Sequence, residues 1–367
     1  MFINRILSGD MPRSRTLSVA LLLIFIGLAL APFITTGARP LSTAATSCVG
    51  SVRVASYDLL LGYTGIVSFA HTMFFGIGAY GVGLGLASVE QPTWTAVFVG
   101  LLAAFALVLV LALVVGLFAL RVKAIFYAMI TLAVASSFAV LASQLSDFTG
   151  GEDGKTFSVP ELLSPGFQLM EGDLFGRAMD GKLITYYIVF VGCVLLFLFL
   201  LRLVNSPFGR VLQAIRENEF RAEALGYNTV LYRIWANCLA AIVAALAGAL
   251  FALWLRYVGP KPMLGFEVMT DILLIVVIGG MGTMYGAVIG ATLFIIAQNY
   301  LMALMAQGSS ALAGVPFLEQ ALHPDRWMLW LGVLFVLSIY FFPLGIVGKL
   351  RMLGLAKVAV RKPVAPH

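Results

Sequence analysis

Hydrophobic positions along this chain gather into long runs separated by short polar breaks, and the runs have membrane-crossing length. A helix needs about 20 mostly apolar residues to span a hydrocarbon core of roughly 30 Å. Seven runs meet that length: Leu17–Thr36, Pro92–Leu120, Ala124–Leu145, Leu183–Leu201, Ile234–Tyr257, Ala287–Ala306 and Trp327–Val347. Three more, Ala45–Gly62, His71–Val89 and Phe266–Gly282, are interrupted by glycine and polar residues. Every backbone polar group must be satisfied internally in lipid, so the pattern predicts an all-α, polytopic transmembrane helix bundle of about ten spans. Residues 17–347 form its membrane domain, flanked by an N-terminal segment, 1–16, and a basic tail, 348–367.

Composition excludes a soluble globular domain. The 367 residues are 61% hydrophobic and 11% charged, with a mean hydropathy of +1.01. Soluble domains are about half apolar and a quarter charged. The net charge of +6 therefore reads as basic cytoplasmic loops rather than a nucleic-acid surface. Arg5, Arg13 and Arg15 precede the first run, and Arg121 and Lys123 follow the fourth helix in order. Five arginines lie between Arg202 and Arg233, and Lys349, Arg351, Lys357, Arg361 and Lys362 mark the tail. With ten spans all four segments share one side, which the positive-inside rule makes the cytoplasm, so both termini are cytoplasmic. Ser146–Lys182, with seven acids against three bases, is then an external loop. The first run has the basic start of a signal peptide but a longer apolar stretch, so a retained helix is expected.

Candidate chemistry is sparse. Cys48, Cys193 and Cys238 lie far apart in or beside apolar runs, and His71, His323 and His367 are scattered. No metal-ligand spacing, nucleophile constellation or cofactor motif is present. Gly150-Gly151-Glu152-Asp153-Gly154-Lys155-Thr156 resembles a phosphate loop, but Thr149 occupies the required first glycine position and no strand precedes it. Two acids stand where phosphate would bind, so nucleotide binding is not expected there.

Two glycine-rich stretches each join less apolar spans. One runs from Leu61 through Gly62, Gly65 and His71 to Gly76, Gly78 and Tyr80; the other is Ile278-Gly279-Gly280-Met281-Gly282-Thr283-Met284-Tyr285-Gly286. Close helix packing accounts for such glycines. So does a broken helix at membrane depth, where freed backbone groups meet a polar solute. Between Ser206-Pro207 and Gly226 the chain reads as one capped helix, Phe208–Leu225. Phe208, Val211, Leu212, Ile215, Ala222 and Leu225 recur at helical spacing, and Glu217 and Arg221 are spaced as an i,i+4 pair. Its mixed charges suit a protein groove better than anionic lipid headgroups.

These residues resemble a family. Gly62-Tyr63-x-Gly65-x-x-Ser68-x-x-His71 followed by Phe75-Gly76-x-Gly78-Ala79-Tyr80 is similar to the signature of branched-chain amino acid ABC permeases of the LivH/LivM type. Thr149-Gly150-Gly151-x-x-Gly154 resembles their external loop. Gly209-Arg210-x-x-x-Ala214-Ile215-Arg216-Glu217-Asn218-Glu219, with Glu223 and Gly226, resembles their cytoplasmic coupling segment. Ala247-Gly248-Ala249-Leu250 and Ile278-Gly279-Gly280-Met281-Gly282-Thr283 resemble their later spans. The blocks keep the family's order from about Ala55 to Ala291, and the extra first helix is closer to LivM. The chain departs from the pattern at Val67 and Ala70 and in the long segment Phe157–Gly181.

The resemblance implies a transport subunit, not an enzyme, in the bacterial inner (plasma) membrane. Its implied partners are a LivH-like second permease, two cytoplasmic ATPases, a periplasmic solute-binding protein and the lipid bilayer. Branched-chain amino acids, urea, short amides and aromatic acids all remain open as solutes. The substrate path is expected along Tyr57, Asp58, Tyr63, Ser68, His71, Gly76, Gly78 and Tyr80, with Gly279, Gly280 and Gly282. ATPase coupling is expected at Phe208, Gly209, Arg210, Ala214, Ile215, Arg216, Glu217, Asn218, Glu223 and Gly226. Asp58 is placed either to hold an amino group or, structurally, to pair with Arg53 or cap a neighbouring helix. His71 either faces the route or satisfies a nearby carbonyl. The rival class, an ion-coupled secondary transporter, would use Asp58, His71, Glu267 and Asp271, although Glu267 and Asp271 also suit the first turn of a span.

Overall fold

The computed structural model describes residues 15–34, 37–119, 122, 124–174, 177–311, 323–341 and 345–348. Residues 1–14, Arg121, Lys123, Lys349 and the rest of the basic tail with His367, on which part of the charge reading rests, lie outside the described residues. The helices are α1 (Arg15–Ile34), α2 (Ala38–Thr64), α3 (His71–Ala87), α4 (Trp94–Ala119), α5 (Ala124–Gln144) and the short α6 (Ser146–Thr149). After them come α7 (Gly181–Val204), α8 (Pro207–Glu217), α9 (Glu219–Ala224), α10 (Thr229–Leu255), α11 (Pro260–Leu264), α12 (Phe266–Gly279), α13 (Met284–Ala311) and α14 (Trp327–Phe341). All ten apolar runs appear as helices. The largest boundary difference is in α2, which starts at Ala38 rather than Ala45.

Among the described residues, seven helical stretches are long and apolar enough to cross a bilayer; α2 and α3 are not among them. The reason is their position. Of the 27 residues of α2, 20 are buried in protein, so its surface has no need to match lipid, and Ser47, Ser51 and Thr43 satisfy their hydroxyls on carbonyls one turn back. Helix α4, the most apolar of these stretches, lies outside it, as does α5. In α4 and α5 only 28% and 17% of the best window is buried, and Phe98, Leu102, Ile125 and Met129 point outward, as lipid-facing side chains do.

The centre is α2, α3 and α10, with α4, α7 and α13 around it. Helix α10 brings a stripe of fully buried alanines, Ala236, Ala240, Ala244 and Ala247, against α3. Contact there is backbone to backbone: a Cβ on Gly78 would lie 1.9 Å from the Ala245 carbonyl oxygen, and one on Gly248 1.9 Å from that of Phe75. Small residues make this close approach possible and let dispersion and packing hold the helices together in lipid.

Helix α7 runs between two ends of the bundle. At its C-terminal end lie α8 and α9, the C-terminus of α2 and the 280–283 connection between α12 and α13. At its N-terminal end, strand β1 (Lys155–Thr156) pairs antiparallel with β4 (Tyr257–Val258), and a hairpin of β2 (Gln168–Leu174) and β3 (Arg177–Asp180) rises from the same loop.

Candidate functional site

The first glycine-rich stretch does contain a helix break, but not where most of its glycines are. Helix α2 ends at Gly65, whose φ of 74° is left-handed, and the chain is non-helical until His71. The Phe69 N–H donates to Thr131 Oγ1 on α5 at 3.0 Å, which anchors the break. His71 folds back along α2: its Nε2 lies 2.9 Å from Ser56 Oγ and 3.2 Å from the Arg53 carbonyl oxygen. A carbonyl only accepts, so Nε2 carries the proton. The imidazole thus satisfies the carbonyl foreseen as one of its two roles. Its ring meets Tyr57 edge-on at 5.3 Å.

Most of the residues expected on the solute path are packed core. Tyr57, Asp58, Tyr63, Ser68 and His71 are all buried. Gly76 faces Leu264 and Gly78 faces Ala245, so these glycines admit neighbouring helices. Tyr80 lines a cavity of about 490 Å³ between α3, α4 and α5 whose walls are mostly apolar, Leu84, Leu107, Phe138 and Leu141 among them, with Ser88 and Thr149 the other hydroxyl side chains.

Asp58 joins the two breaks. Its Oδ1 and Oδ2 accept the Gly282 N–H at 3.0 and 3.1 Å, two residues before α13 begins. Gly280 and Gly282 take φ values of 113° and 78°, which the turn between α12 and α13 requires. Beside Asp58, a Cβ on Gly62 would fall 2.1 Å from Asp58 Oδ1 and 2.4 Å from Gly282 N. The Gly62 carbonyl in turn accepts from Arg216 Nη1, at the end of α8. Of the glycines expected on the solute path, Gly282 therefore forms a backbone junction with Gly62 beside Arg216, whereas Gly279 packs on Gly286 of α13.

The polar cavity lies on the other side of α2. Its volume is about 760 Å³, and it is walled by Arg39, Ser42 and Thr46 of α2, Gln298 and Asn299 of α13, and Trp327 of α14. Arg39, Ser42, Thr46 and Arg53 share one face of α2 at helical spacing. Arg53 stands two turns below Thr46, with its guanidinium carbon 5.2 Å from the Phe75 ring centroid. Asp271 of α12 lies within electrostatic reach of Arg53 and beside Gln298. Sequence reading named Arg53 only as a partner for Asp58. The polar residues at i, i+3 and i+7 in a span of low hydropathy were the available signal.

The segment Phe208–Leu225, expected to couple to ATPases, is two helices, not one. Ser206 caps α8, accepting from Gly209 N at 3.4 Å. Asn218 ends α8 with φ −159° and ψ 101° and caps α9, its Oδ1 accepting from Arg221 N at 3.0 Å. This Asn cap interrupts the expected continuous helix, so Glu217 and Arg221 lie on different helices and the ion pair forms instead between Glu219 and Arg233. Thr229 donates to Glu223 at 2.9 Å, and Gly226 ends the element in the left-handed region as expected. The orientation of the apolar face also differs from expectation. Gly209, Leu212, Ile215 and Ala222 are buried against this chain's own bundle, and Phe208 stacks on Tyr232 of α10. The outer face carries Arg210, Ala214 and Asn218, with Phe220 86% exposed and Leu225 71% exposed.

The motif Thr149–Gly154, expected in an external loop, is held by local hydrogen bonds. Thr149 Oγ1 donates to the carbonyls of Ala142 and Leu145, closing α5. Gly150, Gly151 and Gly154 are all left-handed, and the Tyr257 hydroxyl donates to the Asp153 carbonyl at 2.8 Å. The Arg256 guanidinium, whose pKa burial lowers, donates to Leu163 O at 2.8 Å. Loop 146–182 is thus stapled to the α10–α11 connection. Among the described residues no cluster of three or more His, Cys, Asp or Glu side chains could hold a metal.

Comparison with known proteins follows this architecture. The family model for the branched-chain amino acid transport system permease component matches residues 39–339. The chain is 28% identical over 257 residues to the high-affinity branched-chain amino acid transport system permease protein LivM of Escherichia coli, covering 66% of this chain and 59% of that protein. It is 27% identical over 295 residues to the probable branched-chain amino acid transport permease protein LivM of Methanocaldococcus jannaschii, covering 77% and 80%. It is 26% identical over 262 residues to BraD of Pseudomonas aeruginosa, a high-affinity branched-chain amino acid transport system permease protein, covering 66% and 79%. The chain spans less than two thirds of the Escherichia coli relative's length. No solved structure matches it.

Proposed function

The chain belongs to the family of branched-chain amino acid transport permease components, and we propose that it is the membrane-spanning subunit of an ABC importer for branched-chain or related amino acids. It is a multi-pass membrane protein. In this reading it lies in the inner membrane with both termini cytoplasmic and pairs with a second permease. Two ATPases dock on 202–233, and a periplasmic binding protein delivers solute to the side of 146–182.

One observation carries the docking assignment. The α8–α9 element turns its regular apolar face, Leu212, Ile215 and Ala222, into its own bundle, yet still presents Phe220 and Leu225 almost fully exposed. An exposed aromatic on a rigid, doubly capped element is the form of an interface anchor. Arg216, on α8 of the same element, reaches the Gly62 carbonyl, so force applied at this element is delivered to the junction of α2 and the 280–283 turn.

The test is Phe220→Asp in the complex reconstituted with ATPase and binding-protein partners. Burying an unpaired carboxylate in an interface costs several kcal/mol. ATPase co-purification and solute-stimulated hydrolysis should both be lost while this chain remains folded. Retention of both refutes docking at α9. Leucine, isoleucine or valine uptake by the wild-type complex must depend on ATP; uptake driven by an ion gradient without ATP supports the secondary-transporter class instead.

A further inference from the structure

The polar seam on the far face of α2 has chemistry that packing does not explain. Its mouth is the 760 Å³ cavity. Its inner end is Arg53, a guanidinium at membrane depth. Among the described residues the ion pairs are Glu219 with Arg233 and Asp325 with His323, so Arg53 has no carboxylate in contact. Its Nε is buried without a hydrogen-bond partner, and the ring of Phe75 covers one face of the guanidinium. The facing acid is Asp271, near enough to interact electrostatically but not in contact, with Glu267 one turn away on α12 and Gln298 of α13 beside it.

A cation and an anion held apart at membrane depth is a costly arrangement. Intramembrane charges ordinarily pair directly, or face a water-filled path where something else pairs them. Arg53 is partly open rather than sealed, as are Asp271 and Gln298, and Gln298 is itself a wall of the cavity. Gln298 therefore connects the separated charges to that cavity, whose walls include neither Arg53 nor Asp271. A zwitterion carries the complementary pair on adjacent atoms: a carboxylate, which suits a guanidinium fork, and an ammonium, which suits a carboxylate.

We propose that Arg53 and Asp271 form a solute-binding station in the membrane, Arg53 taking the carboxylate and Asp271 the ammonium group of a zwitterionic amino acid that enters past Arg39, Thr46 and Gln298. This rests on the transport reading above and narrows it. Urea and uncharged amides lack both charges and would gain nothing from the pair. Asp58, engaged with Gly282 N, is on the opposite side of the same helix and takes no part. The rival account is a gating ion pair that closes directly in another state and never meets solute.

The experiment uses the assembled complex in proteoliposomes with leucine as probe. Three quantities are read: amount of assembled complex, ATP hydrolysis stimulated by loaded binding protein, and leucine uptake. Asp271→Asn and Arg53→Gln should assemble, keep stimulated hydrolysis within about twofold of wild type, and lower uptake roughly tenfold or more, because charged hydrogen bonds to solute are lost while docking is untouched. Uptake within about twofold of wild type in both overturns the proposal. Asp271→Glu guards against failed folding. It keeps the charge but moves it by one methylene, so a solute-contacting carboxylate predicts assembled complex with reduced uptake. Full uptake in Asp271→Glu beside failed assembly in Asp271→Asn assigns Asp271 a structural role and overturns the station. The double exchange Arg53→Asp with Asp271→Arg separates the gating pair: restored uptake there means that the two side chains need only each other. A wild-type complex that takes up no leucine removes the amino-acid reading and this inference with it, whereas normal wild-type uptake with indifferent variants removes this inference alone.

Discussion

Asp58 and Gly282, 224 residues apart, are joined by one backbone N–H that both carboxylate oxygens share, at 3.0 and 3.1 Å. The bond ties the end of α2 to the turn that starts α13, and the Gly62 carbonyl beside it is held by Arg216 of α8. Three segments far apart in sequence thus meet at one buried acid. The carboxylate accepts a backbone N–H, and hydrogen bonding of that kind stabilises its charged form.

Asp58→Ala should destabilise the protein by about 2 kcal/mol, the range for a hydrogen bond to a charged group. Asp58→Asn keeps one acceptor oxygen for Gly282 N–H and should recover most of that loss. Thermal unfolding of the detergent-purified chain measures both. Equal stability of the alanine variant and wild type would show that the bond contributes nothing.

Gly62→Ala is the steric counterpart. The added methyl meets Asp58 Oδ1 at 2.1 Å and Gly282 N at 2.4 Å, atoms that are backbone or locked by hydrogen bonds. Overpacking of this kind costs typically ~1–3 kcal/mol. Expression of folded protein should fall, and the Arg216 contact should be disturbed with it. A Gly62→Ala chain as stable as wild type would mean that the junction is loose.

Ala214→Asp and Ile215→Asp should part company although the residues are adjacent. Ile215 is 2% exposed, so an aspartate there places an uncompensated charge inside the chain's own packing and lowers the yield of folded protein. Ala214 is exposed, so its aspartate leaves folding intact and acts on ATPase docking alone. Size-exclusion profile and ATPase co-purification distinguish the two. Matching behaviour of both variants in both assays is the outcome that contradicts the placement.

A cysteine at Glu161, in a chain whose buried Cys48, Cys193 and Cys238 are replaced, should react with an impermeant thiol reagent applied outside intact cells. Glu161 is exposed at the β1–β4 end of the bundle, opposite α8. Labelling that appears only after the membrane is broken reverses the orientation proposed for the whole chain.

Much of this protein was legible in one dimension. Lipid cannot satisfy a backbone, so each apolar run had to become a helix, and all ten did. Caps are local too: Ser206 and Gly226 bounded the coupling element as their chemistry requires. What periodicity could not supply was Asn218, which cuts that element in two by offering its own backbone an alternative to the helix. Nor could it say which way an amphipathic face turns. Leu212 and Ile215 fit an ATPase groove as well as their own bundle, and only the neighbouring α2 and α10 decide between them.

The expected substrate path illustrates the same limit. The glycines of α3 drew attention because they are many, yet Gly76 and Gly78 are filled by Leu264 and Ala245. Arg53 and Asp271 were visible as letters, but nothing in the sequence placed a residue of α2 opposite one of α12. The sequence by itself determined class, helix positions and family, because those follow from solvent, local propensity and ordered motifs. Tertiary structure alone decided that α2 and α3, two of the less apolar spans, are central, that Asp58 holds a turn and that Arg53 comes within electrostatic reach of Asp271. Charges in a low-dielectric interior take their role from what lies across from them, and that partner is fixed by the packing of helices, not by spacing along one.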